Sequence, residues 1–172
     1  MEDSLSQVFA YGSLMGDAAL TRHRTRPARL AGYHRAFLHE SRQRWGRPGS
    51  PCPILGLSPG GECWGLLFDV PDEDRVRIMR ALGKREAVNE RRRETHTVET
   101  PDGPVPAVVW VSRNINGNGA SSPSLESLEA RLRAAHGTVG TGSEYVRELV
   151  HAMELHGIRD PLVDTLWERL RG

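Results

Sequence analysis

Lysine is nearly missing from this sequence: 22 of its 23 basic residues are arginine, and only Lys84 is lysine. Cysteine is almost as scarce, with Cys52 and Cys63 alone and no Cys-x-x-Cys spacing, which excludes a disulfide scaffold and a cysteine-based zinc site. No apolar run approaches the ~18 residues of a membrane span, so no membrane partner is expected. The formal net charge is only +1, because 22 acids offset the arginines. Nucleic-acid-binding domains usually show a strong basic excess or a recognisable motif. Neither is present, so Arg22, Arg24, Arg26, Arg29 and the run Arg91-Arg92-Arg93 read as genome composition, and no nucleic-acid partner is expected. The opening Met1-Glu2-Asp3-Ser4 is acidic rather than basic-then-apolar, so no secretory leader is expected and the cytoplasm is the expected compartment.

Several motif-borne chemistries are missing as well. Without Gly-Lys-Ser/Thr, the glycines of Gly137 to Gly142 do not make a phosphate-cradling loop. No Gly-x-Ser-x-Gly elbow marks a serine hydrolase. His151 and His156 are five apart and fall on different helix faces, whereas a zincin needs a separation of four. No metal site is expected.

What is present is a chain of 172 residues with 38% hydrophobic content, enough for one domain, 1–172, with a sizeable core. Gln7 to Tyr11 is a short apolar run that stops at Gly12. Ala28 to His39 has strand-like content, with Gly32 marking a bulge. The polar, Pro- and Gly-rich stretch Ser41 to Pro53 reads as a long surface loop, the kind that carries function. Ile54 to Leu57 and Cys63 to Val70 read as strands joined by a turn at Ser58-Pro59-Gly60-Gly61. Asp72 to Gly83 is predicted helical, with an acidic first turn and Val76, Ile78, Met79 and Leu82 recurring along it. Arg93 to Thr100 and Val105 to Val111 form a hairpin. Three helices follow. The first starts at Ser124 with a Leu125–Leu128–Leu132 stripe. The second is capped by Ser143, with Tyr145, Leu149, Met153 and Leu155 facing inward. The third is capped by Asp160 with Pro161 at its first position. Strands first and helices last predict an α+β domain: a closed or nearly closed, barrel-like mixed sheet with helices packed on one side.

The remaining chemical signal is Tyr11-Gly12-Ser13-Leu14, directly after the first strand. A Gly-Ser turn at a buried strand end offers backbone N–H groups and a hydroxyl to one spot, a suitable cradle for a carboxylate or a developing oxyanion. By composition alone Glu86, in the charged stretch Lys84 to Glu94, is a solvated surface acid, and Tyr145 is a core residue.

The segment Val8-Phe9-Ala10-Tyr11-Gly12-Ser13-Leu14 resembles the opening of the gamma-glutamylcyclotransferase superfamily, and the whole chain is similar to its ChaC-like, glutathione-specific branch. Arg29 to Phe37, Gly46-Arg47-Pro48-Gly49 with Ile54 to Leu57, Gly65 to Phe68, Leu82-Gly83-Lys84-Arg85-Glu86, Gly142 to Val146 and Leu155 to Asp160 each resemble family segments, in order and at compatible spacing. Two positions differ from the usual pattern. Ala81 replaces a tyrosine, and Trp45 replaces an arginine in the loop; both fall on elements expected to shape the pocket.

The resemblance implies intramolecular acyl transfer. The α-amino group of a gamma-glutamyl substrate attacks its own gamma-carbonyl and 5-oxoproline forms; from glutathione, cysteinylglycine leaves. The nucleophile arrives with the substrate, so no protein nucleophile, metal or organic cofactor is implied. The match makes Glu86 the general acid/base, with Glu90 and Glu94 the next carboxylates along. Tyr11, Gly12, Ser13, Leu14 and Tyr145 become substrate-binding candidates. Ser41 to Pro53 is expected to line the leaving-group side, with Trp45 replaceable without loss of fold. The implied partner is a small gamma-glutamyl molecule, glutathione first. Cyclotransfer on another gamma-glutamyl amine or dipeptide, and a non-catalytic gamma-glutamyl-binding protein of the same fold, remain open; no feature sets an oligomeric state.

Overall fold

A computed structural model describes residues 5–112 and 122–172. Five strands close into a barrel in the order β1-β3-β2-β4-β5: β1 (Gln7–Ala10), β2 (Thr25–Ser41), β3 (Cys52–Asp69), β4 (Arg91–Thr100) and β5 (Gly103–Ser112). Neighbours are antiparallel except β1 and β5, which meet in parallel at Val8 and Val108 and close the sheet. The α+β, barrel-like class expected from the sequence is therefore the class observed.

Alternation along the strands divides the apolar residues between two compartments. Phe9 and Tyr11, Ala28 and Leu30, Leu57 and Leu67, Val98, and Val109 and Val111 fill the barrel. Val8, Ala10, Leu66, Phe68, Val108 and Trp110 face outward and join the apolar stripes of the helices. Those helices are α2 (Asp72–Val88), α3 (Leu125–Ala134), α4 (Gly142–Glu154) and α5 (Pro161–Arg171); a short α1 (Ala18–Thr21) follows a 3-10 turn at Ser13–Gly16. Among the described residues, no helix is long and apolar enough to cross a membrane.

Three local expectations give way. Ser58 to Gly61 does not reverse the chain, since β3 runs through it while paired with β2 from end to end. Gly60 and Gly61, at φ 101° and 70°, lie near Gly32 at φ 88°, where the β2–β3 register shifts between Ala31 and Tyr33. Left-handed glycines on both strands bend this long hairpin without ending it, which lets it wrap into a barrel. The cap of α4 is Thr141, not Ser143: its hydroxyl accepts from the Glu144 N–H at 3.1 Å, while the Glu144 carboxylate accepts from the Thr141 N–H at 3.0 Å. This reciprocal capping box outcompetes a lone serine. Leu155 is 68% exposed, because α4 ends at Glu154 and Gly157, at φ 69°, turns the chain away.

Helix α2 passes through Gly83 instead of stopping there. Ile78, Leu82 and Glu86, four residues apart, form one buried stripe. Burying that stripe outweighs the ~1 kcal/mol that an internal glycine costs.

Candidate active site

The last turn of α2 and the first residue of β4 are joined only by Asn89 and Glu90. Glu90 takes the left-handed conformation at φ 56°, which a side chain resists by roughly 1–2 kcal/mol. That reversal brings Arg91 back against Glu86. The Arg91 Nη1 donates to Glu86 Oε2 at 2.6 Å, and Nη2 donates to the Leu55 carbonyl. Glu86 is 1% exposed and Arg91 8%, so the acid expected on the surface is buried with a counter-ion. The other carboxylate oxygen, Oε1, has no hydrogen-bond partner among the described residues. A buried, unpartnered carboxylate oxygen is costly, and such groups concentrate where chemistry is done.

Around this pair lie the other residues singled out in the sequence. The Tyr11 ring sits beneath the Arg91 guanidinium, 5.9 Å from ring centroid to carbon, and its hydroxyl donates to the Trp110 carbonyl at 2.6 Å. Burial pushes the Tyr11 phenol up to about 12, so it stays protonated. The Tyr11 carbonyl accepts from Arg35 Nε at 2.8 Å, and Arg35 is tied in turn to Asp160, the α5 cap, at 3.1 Å. Gly12 opens the 3-10 turn, its carbonyl accepting from the Met15 N–H at 3.0 Å. The Ser13 and Leu14 N–H groups lie at the start of that turn, where a helix offers its own amides no acceptor. Tyr11, Gly12, Ser13, Leu14, Glu86 and Arg91 share a void of about 10 Å³.

Ser13 and Arg91 also line a larger cavity of about 410 Å³, within the range of small-molecule sites. Tyr145 forms part of its wall, at the fourth position of α4 rather than the second. The Tyr145 hydroxyl accepts from the Leu55 N–H at 3.0 Å, and its ring lies 5.5 Å from that of Trp45. The structure thus gathers all six candidates at one end of the barrel, and adds Arg91 and Arg85. Arg85 donates to the Ser13 hydroxyl at 2.8 Å and to Asp17 at 2.6 Å, fixing the α2 end to the 3-10 turn. Neither arginine was legible as a site residue. Arg91 is hidden in an arginine run, and only the reversal at Glu90 gives it a role.

The stretch Ser41 to Pro53 does border the cavity, through Ser41, Gln43, Arg44 and Trp45. It is less of a surface loop than expected, since Ser41, Trp45 and Gly46 are buried. Backbone hydrogen bonds hold it to the Gly137–Gly142 loop: Thr138 N–H to the Gln43 carbonyl at 2.9 Å, and Val139 N–H to the Arg44 carbonyl at 2.8 Å. A Cβ on Gly137 would come within 2.5 Å of the Arg44 backbone, so that glycine serves close approach between two loops. Trp45, at 4% exposure, belongs to the helix-side core, and replacing it with arginine would not spare the fold. Ala81 is exposed and does not border the cavity, so only one of the two unusual positions shapes it.

Nearby, the His39 Nε2 meets the Ser112 hydroxyl in a short hydrogen bond. Burial, then the Arg91 charge, lowers the His39 imidazole to about 4, so it is neutral near pH 7. Both cysteines are buried free thiols, raised by burial to about 12 for Cys52 and about 11 for Cys63, and are therefore unreactive.

The chain is similar to known proteins along nearly its whole length. It is 28% identical over 155 residues to a glutathione-specific gamma-glutamylcyclotransferase of Escherichia coli K12, covering 89% of this chain and 67% of that one. It is 25% identical over 174 residues to gamma-glutamylcyclotransferase 2-3 of Arabidopsis thaliana, covering 95% and 87%. The crystal structure of a yeast gamma-glutamyl cyclotransferase specific to glutathione superposes with a TM-score of 0.82 at 18% identity, covering 96% and 95%, and so shares the fold. The ChaC-like protein family model matches residues 6–171, and on that match, which takes in every residue of the site, the chain belongs to the ChaC-like family.

Proposed function

We propose that this protein is a gamma-glutamylcyclotransferase that converts glutathione to 5-oxoproline and cysteinylglycine. The observation that carries the reading is the Glu86 carboxylate. It is buried at the barrel end, held through one oxygen by Arg91, with the other oxygen unpartnered beside Ser13 and the Tyr11–Leu14 turn.

The substrate's α-amino group has a pKa of about 8 and is mostly ammonium at neutral pH. Glu86 Oε1 takes one proton from it. The freed nitrogen attacks the gamma-carbonyl, forming the lactam C–N bond. Glu86 gives its proton to the departing nitrogen as the original amide C–N bond breaks. It then takes the second proton from the lactam nitrogen and passes it to the released amine, which leaves as an ammonium. Such general acid–base help contributes typically ~10²–10⁴-fold. Arg91 keeps the carboxylate aimed while leaving Oε1 free. The Ser13 and Leu14 N–H groups face the oxyanion that develops on the gamma-carbonyl. Tyr145, fixed by Leu55, forms a rigid wall that helps hold amine and carbonyl in attack geometry. Ser13 and Arg91 are common to the large cavity and the void at Glu86, and catalytic hydrogen bonds often close fully only when substrate binds. We place the reaction in the cytoplasm; two free buried thiols support a reducing compartment.

Incubation with glutathione and a panel of gamma-glutamyl peptides and amines, read by mass spectrometry, tests this. Release of 5-oxoproline with cysteinylglycine is expected. Turnover of another panel member but not glutathione would reassign the substrate. No turnover of any member, with binding retained, would make the protein a gamma-glutamyl binder.

A further inference from the structure

The larger cavity is unbalanced in charge. Arg42, Arg44, Arg85 and Arg91 line it against a single acid, Glu40. Three of these cations are already engaged: Arg42 with Glu40 at 2.8 Å, Arg85 with Asp17 at 2.6 Å and Arg91 with Glu86 at 2.6 Å. Arg44 has no ion-pair partner among the described residues. Its backbone is nonetheless fixed, because its carbonyl accepts from Val139 and its neighbour Trp45 is buried. A free guanidinium thus projects from an anchored loop at the cavity's exposed rim. It also acts on Arg85: after burial, the Arg44 charge is the largest influence lowering that guanidinium. Two mutually repelling cations at one opening favour an anion between them.

Depth identifies which part of the substrate reaches this rim. The reacting amine and carbonyl must lie by Glu86, Arg91 and Tyr145, all buried, whereas Arg44 is exposed. The part of a gamma-glutamyl substrate extending outward is therefore the leaving amine. We propose that Arg44 is a specificity residue that selects gamma-glutamyl substrates whose leaving group carries a free carboxylate, as the dipeptide of glutathione does. This rests on the cyclotransferase reading above. A planar guanidinium suits a carboxylate because it can donate two parallel hydrogen bonds.

The test compares kcat/KM for glutathione, for glutathione amidated at its C-terminal carboxylate, and for glutathione amidated at its glutamyl α-carboxylate. The wild type should prefer free acid over C-terminal amide by roughly threefold to tenfold, the scale of one partly exposed charge-assisted contact. The preference should shrink as salt is added. Arg44→Gln should reduce the ratio to about one, mainly by raising KM for the acid, because a contact remote from the reacting atoms is made equally in ground and transition states. Arg44→Lys should keep part of it. Arg92→Gln, removing a charge outside the cavity, should leave the ratio as it is. If wild type handles acid and C-terminal amide equally, or if Arg44→Gln keeps the preference, the assignment fails while the cyclotransferase reading stands. If Arg44→Gln instead erases discrimination against the α-amide, Arg44 binds the glutamyl end and the proposal is overturned. If wild type cyclises none of the three, the glutathione reading on which the proposal rests fails with it.

Discussion

The two ends of the barrel use the same residue types for opposite ends. Where β2 and β5 begin and β3 ends, Asp69 meets Arg26 at 2.9 Å and Arg24 at 3.5 Å, and Arg24 also reaches Asp102 at 3.5 Å. Arg24 is 65% exposed and Asp102 75%, so water screens their contacts, while Arg26 and Asp69 are 14% and 28% exposed and Asp69 Oδ1 is itself without a hydrogen-bond partner among the described residues. At the other end, where β4 begins and β3 opens, Arg91 and Glu86 make one contact of 2.6 Å at 8% and 1% side-chain exposure. There both charges are almost wholly out of water, and the pair adjoins the void at the Tyr11–Leu14 turn and the larger cavity. Arginine and carboxylate at either end look alike in composition; depth separates a solvated ion pair from a candidate acid/base.

The sharpest way to break that contrast is Glu86→Gln. The amide keeps the shape but cannot take the substrate's proton, so 5-oxoproline release should fall at least ~10²-fold. Because Glu86 is buried against Arg91, the change also removes a counter-charge, and the variant should melt lower than wild type rather than at the same temperature. Turnover retained at wild-type level would move the base elsewhere. Glu94 is a poor substitute, since Arg92 and His96 already hold both its oxygens at 2.7 Å.

Removing the cation instead tests how the buried end is held. Arg91→Met leaves the Glu86 carboxylate buried without a partner and should cost about 3–5 kcal/mol in urea unfolding. The double variant Arg91→Met/Glu86→Leu should recover most of that loss while remaining inactive, since replacing a whole buried pair by apolar groups is often neutral. If the double variant is no more stable than Arg91→Met, the pair is not the element holding this end together.

Much of this contrast was legible in the sequence, and the missing part has a physical reason. Strand alternation, the Gly32 bulge, the Asp160–Pro161 cap and the Tyr11-Gly12-Ser13-Leu14 turn are local signals, and the folded chain carries them where expected. Glu86 was reached through family resemblance alone, because Gly83 looks like a helix stop. Its spacing of four from Leu82 and eight from Ile78 would have marked it as buried had the helix been extended. Arg91 carries no local signal. Its position follows from a left-handed residue, Glu90, that nothing in the sequence predicts. The sequence reads Trp45 as part of a solvent loop because that stretch lacks periodicity, yet its ring contact is with Tyr145, a hundred residues further along the chain and beyond the reach of any local pattern.

A smaller effect should appear on acidification, also at the buried end. The His39 imidazole is lowered from its ordinary 6.5 to about 4 by burial and then by Arg91. The unfolded chain therefore takes up a proton near pH 6.5, whereas the folded protein does so only near pH 4. By linkage, the stability tied to neutral His39 is fully present above about pH 6.5 and is lost as pH falls toward 4. Allowing for its partial exposure, the loss at pH 5 should be on the order of 1 kcal/mol. His39→Gln retains a side chain able to bond Ser112 but cannot titrate, so its urea midpoint should fall less steeply between pH 6.5 and 4.5. Parallel slopes for the two proteins would mean His39 charges as readily folded as unfolded.

The least effect is expected at the solvated end, from Arg24→Ala. It removes two contacts of 3.5 Å made by a side chain that is 65% exposed, and leaves the closer Arg26–Asp69 pair in place. Surface pairs of this kind are worth about 0–1 kcal/mol, and salt weakens them further. The urea-derived stability should therefore shift by no more than about 0.5 kcal/mol at moderate ionic strength. A loss of 2 kcal/mol or more would show that Arg24, Arg26, Asp69 and Asp102 act as a coupled network. Burial would then no longer be what distinguishes the two ends, and the void that Glu86 shares with the Tyr11–Leu14 turn would have to carry the distinction alone.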